Sequence, residues 1–118
     1  MFYVVVAGSR SFSDFDRLCA DLDFLLSRRW SSVVLVCGGC PSGADALVAR
    51  YARLRGLPLR VMPAAWAAYG AAAGPIRNGQ MVSLASAAVA YWDGRSSGTR
   101  DFIARCRRAG VRCAVRMF

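Results

Sequence analysis

Phe2-Tyr3-Val4-Val5-Val6-Ala7-Gly8-Ser9-Arg10 decides how this chain is read. The unbroken apolar run Phe2–Ala7, rich in β-branched valine, is the pattern of a strand buried on both faces. A strand covered on both sides belongs to a parallel sheet flanked by helices. Gly8-Ser9-Arg10 then turns the chain, and the apolar spacing changes from that of a strand to that of a helix. Phe15, Leu18, Cys19, Leu22, Leu25 and Leu26 recur at intervals of three and four. Ser13 is a suitable N-cap, Asp14 and Asp16 fall in the first turn, and Arg28 and Arg29 stand where the helix dipole favours cations.

The alternation continues outward from this unit. Val33–Cys37 is a second buried strand, followed by Gly38-Gly39-Cys40-Pro41-Ser42-Gly43 and a helix from about Ala44 to Arg55 with Leu47, Val48, Tyr51 and Leu54 as its apolar stripe. Gly56 suits the position just past that helix, and Pro58 prevents continuation. Leu59–Met62 is a third strand. Pro63–Gly74 is Ala-rich and framed by breakers, which predicts a loop with one helical turn and a flap at Gly70–Gly74. Pro75 suits the first position of a helix running to about Ser86. Ala87–Trp92 is a fourth strand. Asp93–Thr99 leads to a helix from about Arg100 to Arg108, closed by Gly110, and Val111–Arg116 is the last strand. Strands alternating with helices give βαβ units and a parallel five-stranded sheet. The order 3-2-1-4-5 places the first and most apolar strand in the middle.

With 118 residues and 56% hydrophobic content, the chain reads as a single α/β domain, 1–118, with enough apolar side chain for its own core. It has no apolar run near the ~18 residues of a membrane span. Its start lacks a basic region before the apolar residues, so neither a signal peptide nor a membrane partner is expected, and the expected location is cytoplasmic. Five cysteines cannot all pair, which argues against a disulfide framework. Cys37 and Cys40 form a C-x-x-C, but no second pair or histidine follows at zinc spacing, so no metal or cofactor is expected. The net charge of +9 is carried entirely by arginine. It fits attraction to phosphate or a polyanion, and equally the arginine-rich surface of a protein from a GC-rich genome, because the arginines are spread along the chain.

Three strand-to-helix turns share one character. They are Gly8-Ser9-Arg10, then Gly38-Gly39 with Ser42-Gly43-Ala44-Asp45, then Gly94-Arg95-Ser96-Ser97-Gly98-Thr99. In a parallel sheet all three fall on one edge, outside the carboxyl ends of the strands, where such sheets bind ligands. Glycines let backbone amides approach an anion, and helix N-termini add positive partial charge. Hydroxyls of Ser9, Ser42, Ser97 and Thr99 add donors. No turn contains the Gly-Lys-Ser/Thr of a P-loop or a G-x-G-x-x-G, which disfavours a P-loop NTPase and an ordinary dinucleotide dehydrogenase. Trp66, Tyr69 and Trp92 could stack on a base, serve core packing or make a dimer contact, and Trp92 ends a strand at the ligand edge.

Gly8-Ser9-Arg10, Gly38-Gly39…Gly43-Ala44-Asp45, Gly74-Pro75-Ile76-Arg77-Asn78 and Gly94…Gly98-Thr99 occur in an order that resembles the short stand-alone proteins of the SLOG superfamily, in the branch related to YspA and YpsA. The resemblance implies a Rossmann-like three-layer fold and a nucleotide or nucleotide-derived ligand, such as a nucleoside monophosphate or an ADP-ribose-like molecule. The three turns and the resemblance together give as ligand-binding residues Gly8, Ser9, Arg10, Gly38, Gly39, Ser42, Gly43, Asp45, Arg77, Asn78, Gly94, Ser97, Gly98 and Thr99. Relatives include the LOG-type phosphoribohydrolases, whose Gly-Gly-x-Gly-Thr-x-Glu motif and upstream arginine serve cleavage of a nucleotide's N-glycosidic bond. Asp101 falls where their catalytic glutamate lies, with Arg77 upstream, so the resemblance implies catalytic roles for Asp101 and Arg77. Asp101 is one methylene shorter, and Arg95-Ser96-Ser97 replaces the first half of the motif.

Three readings stand at this point. One is a nucleotide-binding module, and the second is a hydrolase in which Asp101 or Asp45 acts at the ribose while Arg10 and Arg77 hold the phosphate. The third is nucleic-acid binding, by analogy with the related DNA-processing protein DprA. The related enzymes are commonly dimers, and the Ala-rich stretch 64–73 would supply a homodimer surface.

Overall fold

The computed structural model describes residues 1–29 and 31–118. Its strands are β1 (Phe2–Gly8), β2 (Val33–Cys37), β3 (Leu59–Val61), β4 (Ala87–Trp92) and β5 (Cys113–Met117). Its helices are α1 (Phe15–Leu26), α2 (Gly43–Arg55), the single turn α3 (Trp66–Tyr69), α4 (Ala73–Leu84) and α5 (Ser97–Ala109). The strands form one sheet in the order β3-β2-β1-β4-β5, and every neighbouring pair is parallel. β1 is central as expected, with Val4 and Val5 opposite Leu35 and Val36 on one side and Ala87 and Ala88 on the other.

Period-two alternation splits the sheet's side chains between two cores. Val4, Val6, Leu35, Cys37, Val89 and Tyr91 pack with Leu18, Leu22 and Leu26 of α1 and Val48, Tyr51 and Ala52 of α2. Val5, Ala7, Val36, Ala88 and Ala90 pack on the opposite face with Met81 and Val82 of α4 and Phe102, Ile103 and Cys106 of α5. The result is a helix–sheet–helix sandwich, the three-layer Rossmann-like α/β architecture. Each fully buried Leu, Val or Phe contributes roughly 1.5–3 kcal/mol of transfer free energy. Among the described residues, no helix is long and apolar enough to cross a membrane.

Several local expectations change. Asp14, not Ser13, caps α1, its carboxylate accepting the Arg17 amide at 3.0 Å. Arg28 and Arg29 lie beyond the C-cap Ser27, and Arg29 covers the Phe2 ring at 4.0 Å. Leu54 is exposed, because the buried face of α2 is instead made by Ala44, Val48, Tyr51 and Ala52. Pro75 is the third residue of α4 and not its first. It is tolerated there because first-turn amides have no partner within the helix. The Gly70–Gly74 stretch expected as a flap is a 3-10 turn over Gly70–Ala72 running directly into α4. α5 begins at Ser97, earlier than expected, which puts Ser97, Gly98 and Thr99 in its first turn.

Two buried tyrosines reach out of the core to paired carboxylates. Tyr91 donates to Asp21 at 2.9 Å, and Arg116 also holds Asp21. Tyr51 donates to Asp23 at 2.7 Å, while Arg55 grips the same carboxylate through two bonds of 3.0 and 2.8 Å. Burial and the adjacent carboxylates push both phenols upward, so each stays protonated and donating.

Candidate functional site

The carboxyl ends of β1, β2 and β4 open onto a cleft of about 690 Å³. The β1 turn brings Gly8, Ser9 and Arg10 to it, the β2 turn brings Gly38, and the first turn of α2 brings Asp45. Arg77 and Asn78 enter from α4. Ser97, Gly98, Thr99 and Asp101 enter from α5. Residues from distant parts of the chain thus meet at one rim, because parallel strands deliver all their following turns to the same edge.

Arg77 and Asn78 organise the centre. Arg77 Nη1 donates to the Gly38 carbonyl at 3.0 Å, and its Nε donates to Asn78 Oδ1 at 3.2 Å. A Cβ at position 38 would run into that guanidinium, which explains the glycine there. Asn78, only 5% exposed, donates its Nδ2 to the Gly98 carbonyl at 3.1 Å and to Asp101 Oδ2 at 3.0 Å. The same carboxylate oxygen accepts from Arg105 Nε at 2.9 Å, so Asp101 is held from two sides. One buried amide therefore joins the two residues to which the family resemblance assigns catalysis.

The α5 end of the cleft suits an anion. Ser96 makes no side-chain bond to the helix it precedes, so among the described residues the first-turn amides of α5 have no side-chain acceptor. The turn before them is tied down by Asp93, whose carboxylate accepts the Ser96 and Arg95 amides, both at 2.8 Å, and the Ser96 hydroxyl at 3.0 Å. These amides hold the Asp93 carboxyl down at about 2. The Asp93 amide in turn donates to the buried Ser9 hydroxyl at 3.3 Å, linking the β4 and β1 turns. Arg10 is exposed on the opposite wall, and among the described residues it is in no ion pair.

Asp45 carries the perturbed carboxyl of the cleft. Burial pushes it up, against the Cys40 amide at 3.0 Å and the nearby Arg77, Gly38 amide and Arg10, which pull it down. A carboxyl raised in the folded state loses stability as pH climbs through the ordinary value near 3.8 toward the folded value. Asp45→Asn is therefore expected to match or exceed the wild type in melting temperature at pH 7. That advantage should shrink as pH falls below 4, as measured by thermal melts across pH. A mutant less stable at pH 7 than at pH 3, relative to wild type, would reverse the sign.

Several expected site residues lie elsewhere. Gly39, Ser42, Gly43 and Gly94 do not line the cleft. Gly39 turns toward Val61 and Gly94 toward Met117, while Gly43 packs against the backbone of Ser9 and Arg10. Ser42 is exposed and makes no side-chain bond to α2. Trp92 is not in the lining. Its Nε1 donates to the Ser96 carbonyl at 3.1 Å, bracing the turn, and Arg100 lies over its ring. Trp66, 53% exposed, does line the cleft, and Tyr69 does not. Cys37 is buried and its thiol is pushed up to about 11 by burial, which makes it a poor nucleophile at neutral pH. Sequence reading missed Ser11, Met81 and Phe102, which complete the walls. Met81 had a legible signal, one helical turn after Arg77.

The sequence profile of the YspA, cpYpsA-related SLOG family matches residues 2–69. The chain belongs to this family. The matched segment of this SLOG protein runs from β1 through α3 and contains the β1 and β2 turns, and it stops short of Arg77, Asn78 and Asp101. No curated protein matches the chain. Among solved structures it is similar to the translation initiation factor eIF-2B of Pyrococcus horikoshii OT3, with a TM-score of 0.63 and 16% identity. That likeness covers 97% of this chain and 39% of the other, and at that identity it shows the fold alone.

Proposed function

We propose that this SLOG protein binds a nucleotide-type ligand in the cleft, with a phosphate over the start of α5 and the sugar and base toward the apolar wall. The observation that carries this reading is the pairing of uncapped first-turn amides at Ser97–Thr99 with the guanidiniums of Arg10 and Arg77 across one cleft. Trp66, Met81 and Phe102 supply apolar surface beside these polar groups, the usual composition of a small-molecule site. The volume of about 690 Å³ lies within the range of small-ligand clefts. Membership of the SLOG family supports a nucleotide-related ligand.

Thermal melts against a panel of nucleoside monophosphates, diphosphates and ADP-ribose test the proposal. A ligand at 100 times its Kd should add about 2.7 kcal/mol of stability. Arg10→Ala, which removes an exposed side chain, should leave unliganded stability within about 0.5 kcal/mol. It should weaken a phosphorylated ligand roughly 10- to 150-fold, the loss of one charge-assisted contact, and leave the matching nucleoside unaffected. A panel that produces no shift, or an Arg10→Ala protein that binds nucleotide as well as wild type, would remove the phosphate seat.

A hydrolytic reading is favoured by one further observation, two carboxylates in the same cleft. Water would add to C1′ of the ribose, its proton passing to Asp101 or Asp45 as the C1′–N bond breaks, while the base leaves with that bond's electron pair and takes up a proton from solvent. Release of free base from a nucleoside 5′-monophosphate, abolished in Asp101→Asn, is the expected signature. Full activity in that variant would exclude Asp101.

A further inference from the structure

Six of the sixteen arginines, scattered along the sequence, are gathered by the fold at one edge. Helices between parallel strands all end at the edge where the strands begin, opposite the cleft. Arg28 and Arg29 follow the end of α1, Arg53 lies in the last turn of α2, Arg107 and Arg108 in the last turn of α5, and Arg112 just before β5. Their common edge is marked by contacts with strand starts. The Phe2 amide donates to Ser32 and Arg29 covers Phe2, while the Ala88 amide donates to the Arg112 carbonyl at 2.9 Å. All six side chains are exposed, and among the described residues none is in an ion pair. Asp23 is the carboxylate near this edge, and Arg55 already neutralises it. Asp14, Asp16, Asp45, Asp93 and Asp101 all lie toward the opposite edge, in first or second helical turns or the turns that lead into them. Most placements follow the local preference of helix ends for opposite charge, and together they leave this edge with six arginines outside any ion pair among the described residues and one carboxylate already paired with Arg55.

An exposed aromatic accompanies this charge. Phe24 is 86% exposed, one helical turn before Arg28, with Leu25 beside it. Guanidiniums that can follow a phosphate backbone, next to a free aromatic face, are the two components of a single-strand nucleic-acid surface. A lone ring with one leucine is too little apolar surface to seat in a bilayer, where stable anchoring needs an acyl chain or a long amphipathic face. We infer that the edge formed by the ends of α1, α2 and α5 binds single-stranded nucleic acid, independently of the cleft.

The test is fluorescence anisotropy of the full chain with a labelled, unstructured oligothymidine, over a range of salt. Arg28→Gln/Arg53→Gln/Arg108→Gln removes edge charge. Arg50→Gln/Arg60→Gln/Arg95→Gln removes the same charge elsewhere. Circular dichroism checks that both variants are folded. The edge variant should flatten the slope of log K against log salt by about 2 units, since each lost phosphate contact on a single strand is worth about 0.7. The control variant should change it little. Phe24→Ala should weaken binding roughly tenfold with the salt slope unchanged, the loss of one stacked base. Equal weakening in both triple variants would show diffuse charge attraction and overturn the assignment. So would undetectable oligonucleotide binding, or binding confined to phosphatidylserine vesicles.

Discussion

Gly43→Ala is expected to destabilise the protein by about 3–5 kcal/mol and to lower its melting temperature by roughly 10–20 °C. Gly43 opens α2 with φ of 71°, a left-handed conformation that costs an L-residue about 1–2 kcal/mol. The larger part of the loss is steric. A Cβ there would stand 2.5 Å from the Ser9 carbonyl oxygen and 2.6 Å from Arg10 Cα. Both are backbone atoms of the β1 turn, so the chain itself must move. That turn is anchored by the Ser9 amide on Tyr91 and by the Ser9 hydroxyl under Asp93, so displacement spreads into the β4 turn. A domain of this size holds only about 6–18 kcal/mol in total. Gly56→Ala is the internal comparison, since Gly56 has a similar φ of 67° but nothing within 4 Å of a new Cβ. It should cost only the conformational part, about 1–2 kcal/mol. Chemical denaturation of both variants decides the matter, and equal losses would mean that the contact with the β1 turn is unimportant.

Asn78→Leu carries the second large effect, and it falls on the site more than on the fold. The substitution keeps the branching of the side chain but removes the donor to Asp101 and Gly98 and the acceptor for Arg77. Asp101 keeps Arg105 and Arg77 keeps the Gly38 carbonyl, so the stability loss should be about 1–3 kcal/mol. Nucleotide affinity should drop at least tenfold, because the guanidinium and carboxylate lose the group that sets their relative position. Asn78→Asp separates geometry from charge. It retains the acceptor for Arg77 but sets a second carboxylate against Asp101, and one of two adjacent carboxyls then takes up a proton more readily. Its binding defect should therefore ease as pH is lowered toward about 5, whereas the Asn78→Leu defect should not. Calorimetric titration of both proteins at two pH values reads this difference. An Asn78→Leu protein with wild-type affinity would end the view of Asn78 as the organiser of the cleft.

Much of the architecture was legible along the chain because burial repeats locally. The run Phe2–Ala7 announced a strand covered on both sides, and the spacing of Leu18, Leu22 and Leu26 announced the helix that covers one of them. Glycine-rich turns after β1, β2 and β4 pointed to the rim where the cleft lies. Errors clustered at element ends, where Asp14 displaced Ser13 as a cap and Pro75 sat two positions inside α4. At those points several residues satisfy the same local rule, and packing chooses among them.

The amino-acid order alone determined the alternation of elements, the central place of β1 and the edge that receives the loops, since these depend on periodicity and on how short crossovers must run. Tertiary structure alone decided which turn residues enter the cleft. Ser97–Thr99 do, whereas Gly39, Ser42, Gly43 and Gly94 do not. It also decided that Asn78 would bridge Arg77 and Asp101, that Trp92 would brace a turn, and that six dispersed arginines would share one edge. Those outcomes depend on distances between residues far apart in the chain, which are set only when the parallel strands pair in register and the helices pack across them.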